Sequence, residues 1–156
     1  IIFGRKEIQP KTKLQIYKAI EPTLLNGSES WPVTEGKISS ITALEMKCYR
    51  RITGKTKRDM IRNERIREGL KQKSIGGKLR KRQMKWFGHV LRMDEERKPR
   101  QMMDIRKVGR RGRGRPRMSY MDNIENQARE RGKGELRRMA RDRSEWRRWI
   151  QADPTP

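Results

Sequence analysis

Basic side chains are the groups in this sequence whose type and spacing could do chemistry. On a helical wheel of about 100° per residue, six of those between positions 78 and 93 gather on roughly one third of the circumference, opposite an apolar half that includes Phe87, Val90 and Leu91. The six are Lys78, Lys81, Arg82, Lys85, His89 and Arg92. Arg80 is the exception and falls among the apolar positions. Cations aligned on one side of a helix neutralise phosphates and release counterions, which gives strong, salt-sensitive affinity. We therefore predict that this basic face binds nucleic acid; the alternative is the ordinary charged surface of a bundle helix.

A second set of cations lies in a segment that cannot bury apolar surface. Residues 109–117 read Gly-Arg-Arg-Gly-Arg-Gly-Arg-Pro-Arg, and their glycines and proline disfavour a helix. The nucleic-acid-binding residues predicted in this arm are Arg110, Arg111, Arg113, Arg115 and Arg117. Within it, Arg113-Gly114-Arg115-Pro116 resembles an AT-hook, in which an extended strand inserts guanidinium groups into a narrow A·T minor groove. A general phosphate-binding linker and a nuclear-import signal are the alternatives.

The overall charge points to the same class of partner. The 156 residues contain 42 Lys and Arg against 19 Asp and Glu, a net charge of +23. Residues 55–117 alone hold 24 basic and 7 acidic side chains, so the middle of the chain is expected to bind a polyanion such as nucleic acid. Because 31% of residues are hydrophobic and 39% are charged, we expect small helical cores rather than one large core.

Other kinds of chemistry find no support in the sequence. Cys48 is the only cysteine and His89 the only histidine, so neither an internal disulfide nor a Cys/His zinc site is expected. The paired aspartates of a two-metal polymerase do not occur, and Asp94-Glu95-Glu96 lies between arginines at a predicted helix end. We predict no catalytic residue and no metal site. Without a run of about 18 apolar residues we predict no membrane partner, and we expect an intracellular protein of the nucleus, the cytoplasm or both.

Helices must position these groups. Apolar spacing predicts a helix from Pro10 to about residue 26, a second over 37–53, a short one over 58–70, a polar break at 74–77 and a long helix over 78–93. On the second helix, Ile38, Ile41, Leu44, Cys48 and Ile52 are expected to face the core. The short and long helices together suggest a helix-turn-helix-like pair.

Two closing helices are predicted over 118–129 and 135–150. Trp146 and Trp149 in the second of these are expected to be core residues, with base stacking as the alternative. The fold class predicted is all-α: a small helical bundle with a helix-turn-helix-like pair, a basic Gly/Arg-rich arm and a C-terminal helical hairpin. The predicted segments are 1–54, 55–93, 94–118, 119–151 and a disordered tail at 152–156.

Several blocks of sequence, in their order and spacing, resemble the C-terminal end of the endonuclease-reverse transcriptases of non-LTR (LINE-type) retrotransposons. The blocks are Lys11-Thr12-Lys13-Leu14, Tyr17-Lys18-Ala19-Ile20, Asn26-Gly27-Ser28-Glu29-Ser30-Trp31, Glu45-Met46-Lys47, Arg50-Arg51-Ile52, Arg62-Asn63-Glu64, Met84-Lys85-Trp86-Phe87-Gly88-His89-Val90-Leu91-Arg92-Met93, Gly112-Arg113-Gly114-Arg115-Pro116-Arg117 and Asp142-Arg143-Ser144-Glu145-Trp146-Arg147. The chain departs from the family pattern at Asn26, where Tyr is usual, and at Tyr120, where Trp is usual, which suggests sequence drift.

This resemblance implies that residues 10–53 correspond to the reverse-transcriptase thumb and the residues from 55 onward to a basic C-terminal extension. It implies that the endonuclease and the Mg²⁺-dependent polymerase palm lie upstream, so we expect a fragment without a cofactor of its own. The partners expected are RNA, DNA or their hybrid. The alternatives are an AT-hook chromatin protein, a ribosomal-type RNA-associated protein and a non-functional remnant of an element.

Overall fold

The computed structural model describes residues 2–105, 113–114, 119–130 and 135–152. Within these ranges the secondary structure is helical and contains no strand, which confirms the all-α prediction and fits a small helical bundle. Short 3-10 turns occupy Ile2–Gly4 and Ser28–Ser30. The α-helices are α1 (Pro10–Leu24), α2 (Glu35–Thr53), α3 (Asn63–Gly69), α4 (Ile75–Leu91), α5 (Lys98–Asp104), α6 (Tyr120–Glu130), α7 (Leu136–Arg141) and α8 (Arg143–Gln151).

The chain forms two compact units. Unit 1 holds Ile1–Gly27 and Glu35–Leu79, and unit 2 holds Ser28–Thr34 and Arg80–Pro156. Helix α4 has its first residues in unit 1 and the remainder in unit 2. The short stretch Ser28–Thr34 belongs to unit 2 although it lies between two helices of unit 1.

Unit 1 is built on the contact between α1, α2 and α3. Its buried apolar core is formed by Tyr17, Met46, Tyr49, Ile52 and Ile66, and Cys48 packs against it as expected. On the predicted core face of α2, Ile52 is buried as expected, but the prediction for Leu44 is wrong, because Leu44 is 46% exposed whereas its neighbour Glu45 is fully buried. Glu45 can be buried because partners from elsewhere in unit 1 satisfy its carboxylate.

Helix α3 begins later than predicted. The expected helix over 58–70 is found only from Asn63. Ahead of it, the Asp59 carboxylate accepts the Thr56 N–H at 2.7 Å, a local bond that competes with helix formation. Met60 then has a left-handed φ of 51°, which an α-helix does not tolerate.

Helix α4 begins earlier than predicted, at Ile75 instead of after the glycines at 76 and 77. Its first turn is stabilised from outside, since the Ile75 N–H donates to the buried Glu45 carboxylate at 2.9 Å and the Gly77 N–H to the Ser74 hydroxyl at 3.3 Å. A Cβ on Gly76 would lie 3.0 Å from Cγ2 of Ile38. The glycine that suggested a break therefore permits close packing within unit 1.

Unit 2 has an apolar and aromatic core. Its members come from α4, α6, α7 and α8, among them Met84, Phe87, Ile124, Trp146 and Ile150. Trp146 donates its indole N–H to the Met84 carbonyl at 3.0 Å, and its ring lies so close to Gly88 that an added Cβ would be 2.1 Å from Nε1. Because Trp146 is buried and stacks on the half-buried Trp149 at 4.9 Å, the prediction that it is a core residue is confirmed. The last predicted helix is divided at Asp142 into α7 and α8.

Neutral polar side chains attach Ser28–Thr34 to the rest of unit 2. The Gln83 amide donates to the Trp31 carbonyl at 2.7 Å and accepts from the Gln127 amide at 2.9 Å. The Asn123 amide donates to the Val33 carbonyl. The side chains of Gln83, Asn123 and Gln127 are buried and make these bonds inside the unit. The network therefore fixes α4 against α6.

Candidate nucleic-acid interface

The orientation of α4 in unit 2 is set by its apolar side. Phe87, Val90 and Leu91 are buried, as the wheel predicts. The opposite side consequently faces solvent, and on it Lys85, His89 and Arg92 are exposed while Lys81 and Arg82 are half-buried. The predicted basic face thus exists on this helix, although its members differ in what they contact.

Lys78 is engaged in the structure of unit 1. Its ammonium lies 2.7 Å from the carboxylate of Glu21, a residue that is only 8% exposed. Removing a cation from a nearly buried carboxylate leaves that charge uncompensated, so this pair resists exchange with an external phosphate. Lys78 was predicted as a nucleic-acid contact, and in the structure its ammonium is held by the fold instead.

Arg82 and Arg92 have weaker or partial internal partners. The Arg82 guanidinium lies 3.4 Å from the Glu29 carboxylate in a partly exposed pair, which contributes little to stability and can be exchanged. Arg92 donates to the Ala140 carbonyl near the end of α7. Partial burial, followed by the nearby positive charge of Arg143, lowers the pKa of the Arg92 guanidinium from its usual value. Two guanidinium groups are thus held near one another, where an anion would relieve their repulsion.

Lys81, Lys85 and His89 have no ion-pair partner among the residues that the structure describes. The His89 ring lies beside that of Trp86, with the centroids 5.6 Å apart. The spacing of these three residues, each four positions from the next, aligns them along one side of α4. With Arg92 they form what we term the basic stripe: Lys81, Lys85, His89 and Arg92.

Most of the predicted Gly/Arg-rich arm lies outside the described residues. That holds for Arg110, Arg111, Arg115 and Arg117, whose role stays a prediction. Arg113 is exposed, and Gly114 beside it has a φ of +104°, a conformation that L side chains rarely adopt.

Sequence reasoning missed Arg143 as a neighbour of Arg92. Arg143 begins α8 and is brought near Arg92 by the packing of unit 2. A local signal for its position was present, since Asp142 and Glu145 have the spacing of a capping box. The Asp142 carboxylate accepts the N–H groups of Ser144 at 2.7 Å and Glu145 at 2.9 Å, and these bonds lower the pKa of Asp142. Other exposed arginines of α7 and α8 are Arg137, Arg138, Arg141, Arg147 and Arg148.

The described part of the chain offers no group of three or more His, Cys, Asp or Glu side chains that could hold a metal ion. Likewise, none of its helices is long and apolar enough to cross a membrane. Basic side chains lie along α4, with the Trp86 ring beside them. Comparison of the chain with protein-family models, with curated proteins and with solved structures gave no match.

Proposed function

We propose that the chain binds nucleic acid through the basic stripe on α4, mainly by contacts to phosphates. The observation that carries the proposal is the contrast within one helix: Lys78 and Arg82 have acidic partners, whereas Lys81 and Lys85 lie along the outer side with no ion pair to a described residue. In a chain with a net charge of +23, cations aligned in this way and not ion-paired within the described part of the chain favour a polyanionic ligand.

We further propose that the chain is the C-terminal region of a LINE-type endonuclease-reverse transcriptase, and that it holds RNA, DNA or their hybrid for a polymerase situated elsewhere in the parent protein. The support is that two blocks of the resemblance pack together in unit 2, where Trp146 of one block lies on Gly88 of the other. The Trp31 carbonyl of a third block accepts a bond from Gln83, the residue directly before the block that begins at Met84. The parent enzyme would use Mg²⁺ in its palm, and no catalytic step is assigned to this chain.

A salt titration tests the binding proposal. Replacing both Lys81 and Lys85 by Ala removes two phosphate contacts, so the slope of log affinity against log salt for a DNA duplex should fall by about 2 units. The matched control is the double variant Lys98→Ala with Arg129→Ala, which removes the same charge from exposed positions of unit 2 outside the stripe. It should leave the slope close to that of the unmodified chain.

Equal slopes for the two double variants would defeat the proposal, because binding would then follow net charge rather than the stripe. The same titration with A·T-rich and G·C-rich duplexes examines the AT-hook alternative. A hook discriminates between them by minor-groove shape, whereas phosphate contacts do not.

A further inference from the structure

A large open groove lies in unit 2 next to the basic stripe. Its volume is about 1060 Å³, just above the ~300–1,000 Å³ typical of small-molecule sites. The wall is formed by apolar and aromatic side chains from α4, α5 and α6, including Trp86, Val90, Met103 and Tyr120. Arg137, Asp122 and Glu125 supply polar groups at the same groove.

Helix α4 contributes both to this groove and to the stripe. Trp86 follows Lys85 directly in sequence, is half-buried and lines the groove, and its ring contacts that of His89. An aromatic ring and Lys85, which has no ion pair to a described residue, are therefore adjacent on one helix. Single-stranded nucleic acid binds to surfaces of this kind, since its backbone follows the cations while its bases stack on aromatic rings.

We propose that the groove receives an unstacked base of single-stranded nucleic acid, which lies against Trp86 while the neighbouring phosphates lie on Lys85 and the rest of the stripe. This inference rests on the proposed nucleic-acid binding and adds that the bound strand is single at this point. A base paired within a duplex keeps both faces stacked and cannot enter.

The charges of the groove fit a neutral base better than a phosphate. Asp122 and Glu125 are exposed carboxylates on α6 and outnumber the Arg137 guanidinium in the lining, so the groove disfavours the sugar-phosphate chain. Carboxylate oxygens can accept hydrogen bonds from the amino and imino groups of bases. The phosphodiester chain is thus directed to the stripe and the base to the groove.

The second aromatic residue of the wall is already positioned. Tyr120 is half-buried, and its hydroxyl donates to the Gln83 carbonyl of α4 at 3.4 Å. Burial raises the pKa of Tyr120, and the charge of Glu29 acts in the same direction, so the hydroxyl stays protonated and remains a donor at neutral pH. The wall therefore requires little ordering when a base binds.

Paired oligonucleotides test the groove. Two single strands of equal length are used, one with normal bases and one with abasic sites at its centre, so that the phosphates are identical. The full 156-residue chain should bind the base-containing strand about 10-fold more tightly, the effect of stacking a single base. Trp86→Leu should abolish this preference without changing affinity for the abasic strand, and Trp86→Phe should retain most of it.

Trp31→Leu is the matched control, since Trp31 is an exposed tryptophan of unit 2 that does not line the groove. It should keep the preference. The base-binding inference is overturned if the unmodified chain binds both strands equally, or if Trp86→Leu keeps the preference. Either result leaves phosphate binding standing and makes an apolar peptide the better occupant of the groove. If neither strand binds at low salt, the proposed function fails as well.

Discussion

Units 1 and 2 use charge in opposite ways. In unit 1 the carboxylates of Glu21 and Glu45 are buried, and Lys78 and Arg67 are turned inward to meet them. In unit 2 the buried polar groups of α4 and α6 are the neutral amides of Gln83, Asn123 and Gln127, while Lys81 and Lys85 remain at the surface without an ion pair to a described residue. Neutral polar groups inside unit 2 leave Lys81 and Lys85 available to an external anion, whereas Lys78 and Arg67 stabilise the fold of unit 1.

The largest effect is expected where unit 1 depends on a buried charge. Glu45 accepts two bonds from the Arg67 guanidinium, at 2.9 and 3.1 Å, as well as the Ile75 N–H. Glu45→Ala leaves Arg67 and the start of α4 without their partner, so the free energy of unfolding should fall by about 3–5 kcal/mol in a denaturant titration. Glu64→Ala is the control, because Glu64 is an exposed partner of the same Arg67 at 3.6 Å. A comparable loss in both variants would show that burial of Glu45 is not what matters.

A smaller effect is expected in the apolar core of unit 2. In Gly88→Ala, the new methyl group would overlap the Trp146 indole, which must then move from its bond to the Met84 carbonyl. Overpacking of this kind should lower the free energy of unfolding by about 1–3 kcal/mol. Gly77→Ala is the matched control on the same helix, since a Cβ there meets nothing within 4 Å. Equal stability of the two variants, measured by thermal unfolding, would contradict the packing of α8 on α4.

The smallest effect concerns pH. The pKa of Asp142 is lowered in the folded state by hydrogen bonds from the Glu145 and Ser144 N–H groups, so folding favours the ionised form. The stability it contributes is present above the unfolded pKa of an aspartate and is lost as the pH falls through the lowered value. Asp142→Asn can still cap α8 but cannot titrate. The thermal unfolding midpoint of this variant should therefore fall less steeply with decreasing pH than that of the unmodified chain. If the midpoint of the variant falls with decreasing pH as steeply as that of the unmodified chain, Asp142 is not the group responsible.

The sequence sufficed for the helices whose apolar spacing is regular. Pro10 marks the first residue of α1, and the wheel placed Phe87 and Leu91 inside and Lys85 and His89 outside on α4. The boundaries that failed were set by tertiary partners. Gly76 and Gly77 suggested a break, but Glu45 from α2, 30 residues before Ile75, caps that turn and makes it helical.

The same limit applied to the site. A wheel shows which cations share a side of α4 but not which of them the fold uses, because Glu21 and Glu29 are 57 and 53 positions away from the residues that they pair with. The approach of Arg143 to Arg92 is also a product of tertiary packing. The basic residues on this side of α4 look alike in the sequence. In the structure, pairing with distant carboxylates separates those that stabilise the fold from those that can bind an external anion.

The central claim is that two lysines of one helix, Lys78 and Lys85, do different work, and a pair of single variants measures it most directly. Lys78→Met and Lys85→Met remove the same charge, and each is examined for its unfolding free energy and for the salt dependence of oligonucleotide binding. Lys85→Met should reduce the salt slope by about 1 unit and leave stability nearly unchanged. Lys78→Met should lose about 1–3 kcal/mol of stability, because Glu21 loses its partner, and keep the slope. Identical salt slopes for Lys78→Met and Lys85→Met would contradict the account.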